Sequence, residues 1–141
     1  MQNPVLKSPV DNFSTPFEAA SVARLILKGM IAATNQQYAV AINELEKAVA
    51  AEDQLIYNEP RDWPLPARHY LGTVLIKAAK YQEAIKVLNR DLFVNPNNGW
   101  AMTGLQTAYQ HTNNAGELKR IQSRLKSAWE IRDVRIDAPV F

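Results

Sequence analysis

The stretch from Tyr57 to Arg68 concentrates aromatic rings, prolines and paired charges, and His69 follows it directly. Two kinds of chemistry fit these residue types. A guanidinium can hold two carboxylates at once, so Arg68 can pair with Glu59 from this stretch or with Asp91 further along, tying the segment down while Trp63 and Trp100 stack or fill a core. The same cluster can instead recognise a ligand, with Arg68, His69 and Lys77 meeting a peptide terminus or a small anion. Both readings stand on the residues. Catalysis has little to rest on: the chain has no glycine-rich phosphate loop, no His-Glu-x-x-His and no serine set beside a histidine. No enzyme activity and no cofactor are expected. His69 and His111 fall on different predicted helices, so a shared metal site is not expected either. Zero cysteines remove disulfides, thiolate ligands and cysteine nucleophiles together.

Helices must position these groups. Thr15-Pro16-Phe17-Glu18 is a start signal, with a threonine N-cap, proline in the first turn and a glutamate able to close a capping box. The helix it opens is predicted to reach Thr34, with Val22, Leu25, Ile26, Met30 and Ala33 at helical spacing. A returning helix is predicted over Ala39 to Glu52, with Ile42, Leu45, Ala48 and Val49 inward. A second hairpin is predicted over Pro64 to Lys80 and Tyr81 to Phe93, turning at Ala78-Ala79-Lys80 and ending at Asn95-Pro96-Asn97-Asn98-Gly99. Trp100 to Gln110 and a helix capped by Asn114 with Glu117 make the third pair, the last carrying Leu118, Ile121, Leu125, Ala128 and Trp129 on one side. Gly29 precedes Ala41, and Gly72 precedes Ala84, by the same twelve residues. Small residues facing each other let two backbones approach closely, so this spacing has a packing cause.

Composition narrows the class of protein. With 141 residues, 47% of them hydrophobic, the chain can bury one core of ordinary size. No apolar run approaches the roughly 18 residues that span a bilayer, and Met1 to Phe13 does not read as a signal peptide. The expectation is a soluble protein, cytoplasmic by default, with an exported parent still open. Net charge is only +2, so the basic residues of the last helix, Lys119, Arg120, Arg124, Lys126 and Arg132, read as a solvated face rather than a nucleic-acid surface.

The pattern also repeats. Leu71 and Leu75 recur as Leu105 and Tyr109, and Pro66-Ala67 recurs as Trp100-Ala101, all 34 residues on, the length of one helix-turn-helix repeat. The order Leu71-Gly72, Ala84, Leu88 and Pro96 resembles the tetratricopeptide repeat. In register, the repeats run about 22–55, 65–98 and 99–132, with a loop inserted at 56–64, an extended segment at 1–14 and a tail at 133–141. The tail either packs back over the last helix, which is the preferred reading, or hangs free and binds a neighbour's groove in a head-to-tail assembly. The third repeat departs from the pattern, with Gln106 and Leu118 where Gly72 and Ala84 stand in the second. The resemblance extends to a bacterial subgroup through Tyr57, Glu59-Pro60, Trp63, Pro66 and Arg68, then Asp91-Leu92, Pro96, Asn98-Gly99-Trp100 and Gly104-Leu105.

This resemblance implies an all-α fold, an α-solenoid of three helix-turn-helix repeats with six main helices, belonging to a larger bacterial protein. It implies a protein-interaction module whose first helices line a concave groove: Ala23, Ile26 and Met30, then His69, Thr73 and Lys77, then Trp100, Thr103, Thr107 and His111. With the loop cluster, the expected binding residues are Tyr57, Glu59, Trp63, Arg68, His69, Thr73, Lys77, Asp91, Trp100, Thr103 and Thr107. The partner is an unidentified peptide or protein, with no nucleic acid, no membrane and a monomeric state expected. The alternatives are a small-anion site at residues 57–69 and a structural spacer. Ile26, Met30, Thr73 and Thr103 stand where a chaperone-tail clamp of this family would need lysines and asparagines, which argues against that partner.

Overall fold

The first helix begins where its capping signal places it. Thr15 Oγ1 accepts the N–H of Glu18, and the Glu18 carboxylate accepts the Thr15 N–H at 2.6 Å, closing a capping box over two otherwise orphaned donors. The Thr15 hydroxyl also donates to that carboxylate at 2.8 Å; the two bonds the carboxylate accepts favour its charged form, and the Glu18 pKa is lowered, mainly by the Thr15 backbone donor and then by its hydroxyl.

The computed structural model describes residues 3–8, 14–57, 59, 63–131, 133 and 136–140. Among them are six α-helices and no strand: α1 Pro16–Thr34, α2 Tyr38–Glu52, α3 Ala67–Lys77, α4 Tyr81–Val94, α5 Gly99–His111 and α6 Ala115–Ala128. Each predicted helix is present, with ends shifted by a few residues. The largest shifts are in α3, which begins at Ala67 rather than Pro64 and ends at Lys77, because Ala78 and Ala79 form the turn. Where the N-terminal segment is described, at residues 3–8 and 14, it differs from an extended reading; Met1, Gln2 and residues 9–13 lie outside the described residues. Pro4–Lys7 is a 3₁₀ turn, started by Asn3, whose side chain accepts the Val5 N–H, and by proline at its first position. Of the predicted loop and tail, Asn58, Pro60, Arg61, Asp62, Arg132, Val134, Arg135 and Phe141 lie outside the described residues.

The chain divides into two compact units, Met1–Ala67 and Arg68–Phe141. In the first, α1 packs on α2. Val22, Ile26, Gly29 and Ala32 form the inward stripe of α1, and Ala41, Ile42, Leu45 and Ala48 that of α2. Leu25, Met30, Ala33 and Val49 flank these stripes half-buried. The contact closes on Gly29, where a Cβ would lie 2.5 Å from Leu45 Cγ. The second unit repeats that contact, since a Cβ on Gly72 would lie 2.6 Å from Leu88 Cδ2. Ala41 and Ala84 are buried as their spacing predicts, but the leucine one helical turn beyond each alanine makes the closest approach.

Leu88, Leu92, Ala101, Met102, Leu105, Tyr109 and Ile121 form the core of the second unit, joining α4, α5 and α6. Gly99 also serves close approach: its φ is not positive, and a Cβ there would meet the Trp129 ring at 2.6 Å. In the described part of the tail, Pro139 is buried against Gly104 of α5, and Ile136 and Asp137 border a cavity that they share with Leu125 of α6 and Trp129.

Three hairpin turns share one geometry. Gln36, Ala79 and Asn113 have φ of 58°, 57° and 53°, the left-handed conformation that ends helices. The following N–H in each case reaches five residues back, Gln37 to Ala32 O, Lys80 to Leu75 O and Asn114 to Tyr109 O. This is the Schellman arrangement, which satisfies carbonyls that the helix leaves unpaired.

Two outcomes test this account. Gly72→Ala should lower stability by about 1–3 kcal/mol through overpacking against Leu88, despite gaining up to about 1 kcal/mol in helix propensity. Gly116→Ala, with nothing within 4 Å of the added methyl, should be neutral or stabilising; urea denaturation separates the two. Thr15→Ala should return the Glu18 pKa only part of the way toward its ordinary value in an NMR titration, because the hydroxyl donor is lost while the larger contribution, from the residue 15 backbone N–H, remains. Because the folded pKa is the lower one, the Glu18 contribution is present above the usual carboxylate range and fades as pH falls through the folded value.

Candidate functional site

The predicted site residues divide between the two units. In the first, Tyr57 is exposed and its hydroxyl donates to the Glu59 carboxylate. Trp63 donates its indole N–H to Leu65 O at 2.5 Å. Both bonds are local to the inserted segment. A further anchor was not foreseen from the sequence: Glu52, at the end of α2, accepts the Ala67 N–H at 2.7 Å. Its carboxylate thus satisfies the first free donor of α3, where negative charge is favoured.

In the second unit the structure brings His69 and Asp91 together around Asn98. Asp91 is only 2% exposed, and an isolated carboxylate at that depth would be costly. Asn98 Nδ2 donates to Asp91 Oδ2 at 2.7 Å, and Asn95 Nδ2 to Asp91 Oδ1 at 3.3 Å. Asn98 Nδ2 also meets His69 Nε2 at 2.7 Å. The amide cannot be turned over without loss, because Asn98 Oδ1 already accepts the Trp100 N–H as the N-cap of α5. His69 Nε2 also lies 3.4 Å from Asp91 Oδ1, so the ring, the amide and the carboxylate meet at one point. The sequence marks Asn98 through its place before Gly99-Trp100, a cap signal. That its amide would bridge a carboxylate and an imidazole follows only from the way α3 and α4 bring them near.

Thr103 and Thr107 follow on α5. Thr103 is buried, donates to Gly99 O and accepts the Trp129 indole N–H at 3.4 Å. Thr107 is half-buried and donates to Thr103 O. Trp100 meets Trp129 edge-to-face, with centroids 5.6 Å apart, a favoured aromatic geometry. His111 stacks flat on Tyr81 of α4 at 4.4 Å. Thr73 is buried, and its hydroxyl has no hydrogen-bond partner among the described residues; Arg68 is half-buried, and Lys77 is exposed.

Beside Thr103 and Thr107 lies a cavity of about 270 Å³, bounded by Gln106, Leu125, Trp129, Ile136 and Asp137. A larger groove of about 740 Å³ borders the same Gln106, Leu125 and Trp129 and runs along α6 past Gln122, Lys126 and Glu130. The α6 basic face is partly committed elsewhere, since Arg124 donates to Pro96 O and Arg120 pairs with Glu117. Among the described residues no three histidine, aspartate or glutamate side chains converge as metal ligands. No helix among them is long and apolar enough to cross a membrane.

The network around the buried Asp91 and His69 makes a definite demand on the half-buried Asn98. Asn98→Ala should cost about 2–3 kcal/mol, combining a lost cap with a donor taken from a buried carboxylate, while Asn97→Ala on the exposed neighbour should cost little in the same thermal melts. No protein-family model matches the chain, and no curated protein matches it in sequence.

Proposed function

We propose that this chain is a tetratricopeptide-like array of three helical hairpins that binds an extended segment of another protein along the first helices of its repeats, with no catalysis of its own. The observation that carries this reading is the recurrence of one turn. The left-handed residues Gln36, Ala79 and Asn113 stand 43 and 34 residues apart, and each is followed by the same backbone bond reaching five residues back. The interval of 43 is one 34-residue unit plus the nine-residue insertion at 56–64.

Repeats of this kind each leave an apolar face that only a neighbouring repeat can cover, and their stacked first helices offer an extended surface suited to a peptide. Two features on α3 and α5 suit that role. Lys77 and Thr107 retain exposure while the residues beneath them, Thr73 and Thr103, are fixed in the interior. The His69–Asp91–Asn98 network then serves as support, holding the start of α5 so that Trp100, Thr103 and Thr107 keep their places. A rigid lining reduces the ordering cost of binding.

Affinity capture from the source cell's lysate tests the proposal, comparing the wild-type chain with Lys77→Glu, Thr107→Glu at matched circular dichroism. A specific protein should be recovered by the wild type and lost at least about tenfold with the variant. Equal recovery, or no specific protein with either, would overturn the binding reading and leave a structural spacer.

A further inference from the structure

The residues beneath Pro139 make a seat rather than a chance contact. Gly104 lies between two apolar groups, and a Cβ there would fall 2.5 Å from Pro139 Cγ and 2.6 Å from Leu88 Cδ1. The absent side chain is therefore what admits the proline ring to α5. Pro139 is buried, with Ala138 and Val140 half-buried on either side. Ile136 and Asp137 continue along the same face, past Thr103, Thr107 and Trp129. Residues 136–140 form no helix or strand, so the segment lies on α5 as a peptide would.

We propose that this face is a binding seat for an apolar-proline-apolar segment of another polypeptide, and that the chain's own Ala138-Pro139-Val140 fills it in cis until such a segment displaces it. The inference rests on the peptide-binding reading above and names the chemistry of the peptide. Proline suits the seat because its fixed φ leaves less freedom to lose on binding, and because its missing N–H needs no partner against an apolar floor. One ring and two small neighbours cover little area, and tethering adds to their hold by giving a short linked segment an effective concentration of order millimolar. A partner segment can compete by extending into the adjoining groove beyond Gln106 and Trp129, which the chain's own segment leaves open.

The test replaces Ala138-Pro139-Val140 with Gly-Ser-Gly in the full chain and uses a fluorescein-labelled Ile-Asp-Ala-Pro-Val peptide as the probe. Fluorescence anisotropy should show binding at least about tenfold tighter to the replaced chain than to the wild type. Adding Gly104→Ala to the replaced chain should abolish that binding with the helical circular dichroism unchanged. A folded replaced chain that fails to bind the peptide, or binds it no better than the wild type, overturns the proposal. So does loss of folding on replacement, which would make the segment part of the core, and so does a wild-type dimer in sedimentation that the replacement dissolves, which would place a second copy's segment in the seat. The peptide experiment needs no cellular partner, so a failed lysate capture leaves it standing. A captured protein recovered equally by wild-type and replaced chains would defeat this inference alone.

Discussion

A leucine packed against a glycine backbone sets the spacing of the helices on which everything else is mounted. Leu45 on Gly29 and Leu88 on Gly72 are the same contact, made at the same sixteen-residue offset within each hairpin. Ridges of one helix enter the grooves of the other most deeply where a groove lacks a side chain. Leu45 and Leu88 are completely buried, each contributing about 1.5–3 kcal/mol by removal from water. The contact also fixes how far apart the hairpin's two helices stand. In the second unit Leu88 touches both Gly72 and Gly104, so one side chain sets α4 against α3 and α5 together.

That crowding explains how the polar interior is built. A buried aspartate at position 91 is tolerable only where donors are already committed to it, and the donors come from the turn that α4 needs to reach α5. Asn95 and Asn98 lie within that turn, and Asn98 spends its carbonyl oxygen on the α5 cap while its amide serves Asp91 and His69. One residue thus links helix termination, helix initiation and charge burial. Buried networks of this kind favour one arrangement because each member loses a partner if another shifts.

Periodicity and capping made the six helices legible, since Thr15-Pro16-Phe17-Glu18, Asn98-Gly99 and Asn114 with Glu117 are local signals whose causes lie within one turn of chain. The hairpin breaks were legible as well, though their geometry was not. Gln36 and Ala79 take a left-handed φ that costs non-glycine residues about 1–2 kcal/mol, so no glycine advertises the turn. Carbonyl satisfaction at the helix end and the packing of the hairpin offset that cost. Gly99 is the reverse case: it stands beside a turn, yet its φ is not positive and what it supplies is room for Trp129. Of the site, the pairing of His69 with Asp91 and the use of Glu52 on Ala67 depend on which helix faces meet, which residue spacing alone does not encode.

The same physical reasoning separates the glycines by what approaches them. Gly29 and Gly72 receive leucines from the partner helix of their own hairpin, and Gly99 receives a tryptophan from α6. These are contacts between elements that each bury a full helical face, so the glycines are fixed by the fold. Gly104 differs, because one side of it meets Leu88 of the core while the other meets Pro139, from a segment with no regular structure of its own. That segment forms no helix or strand, and its buried Pro139 is what meets α5. The second unit therefore sets a glycine of its packed core against a segment with no regular structure, and the proposed seat rests on that juxtaposition.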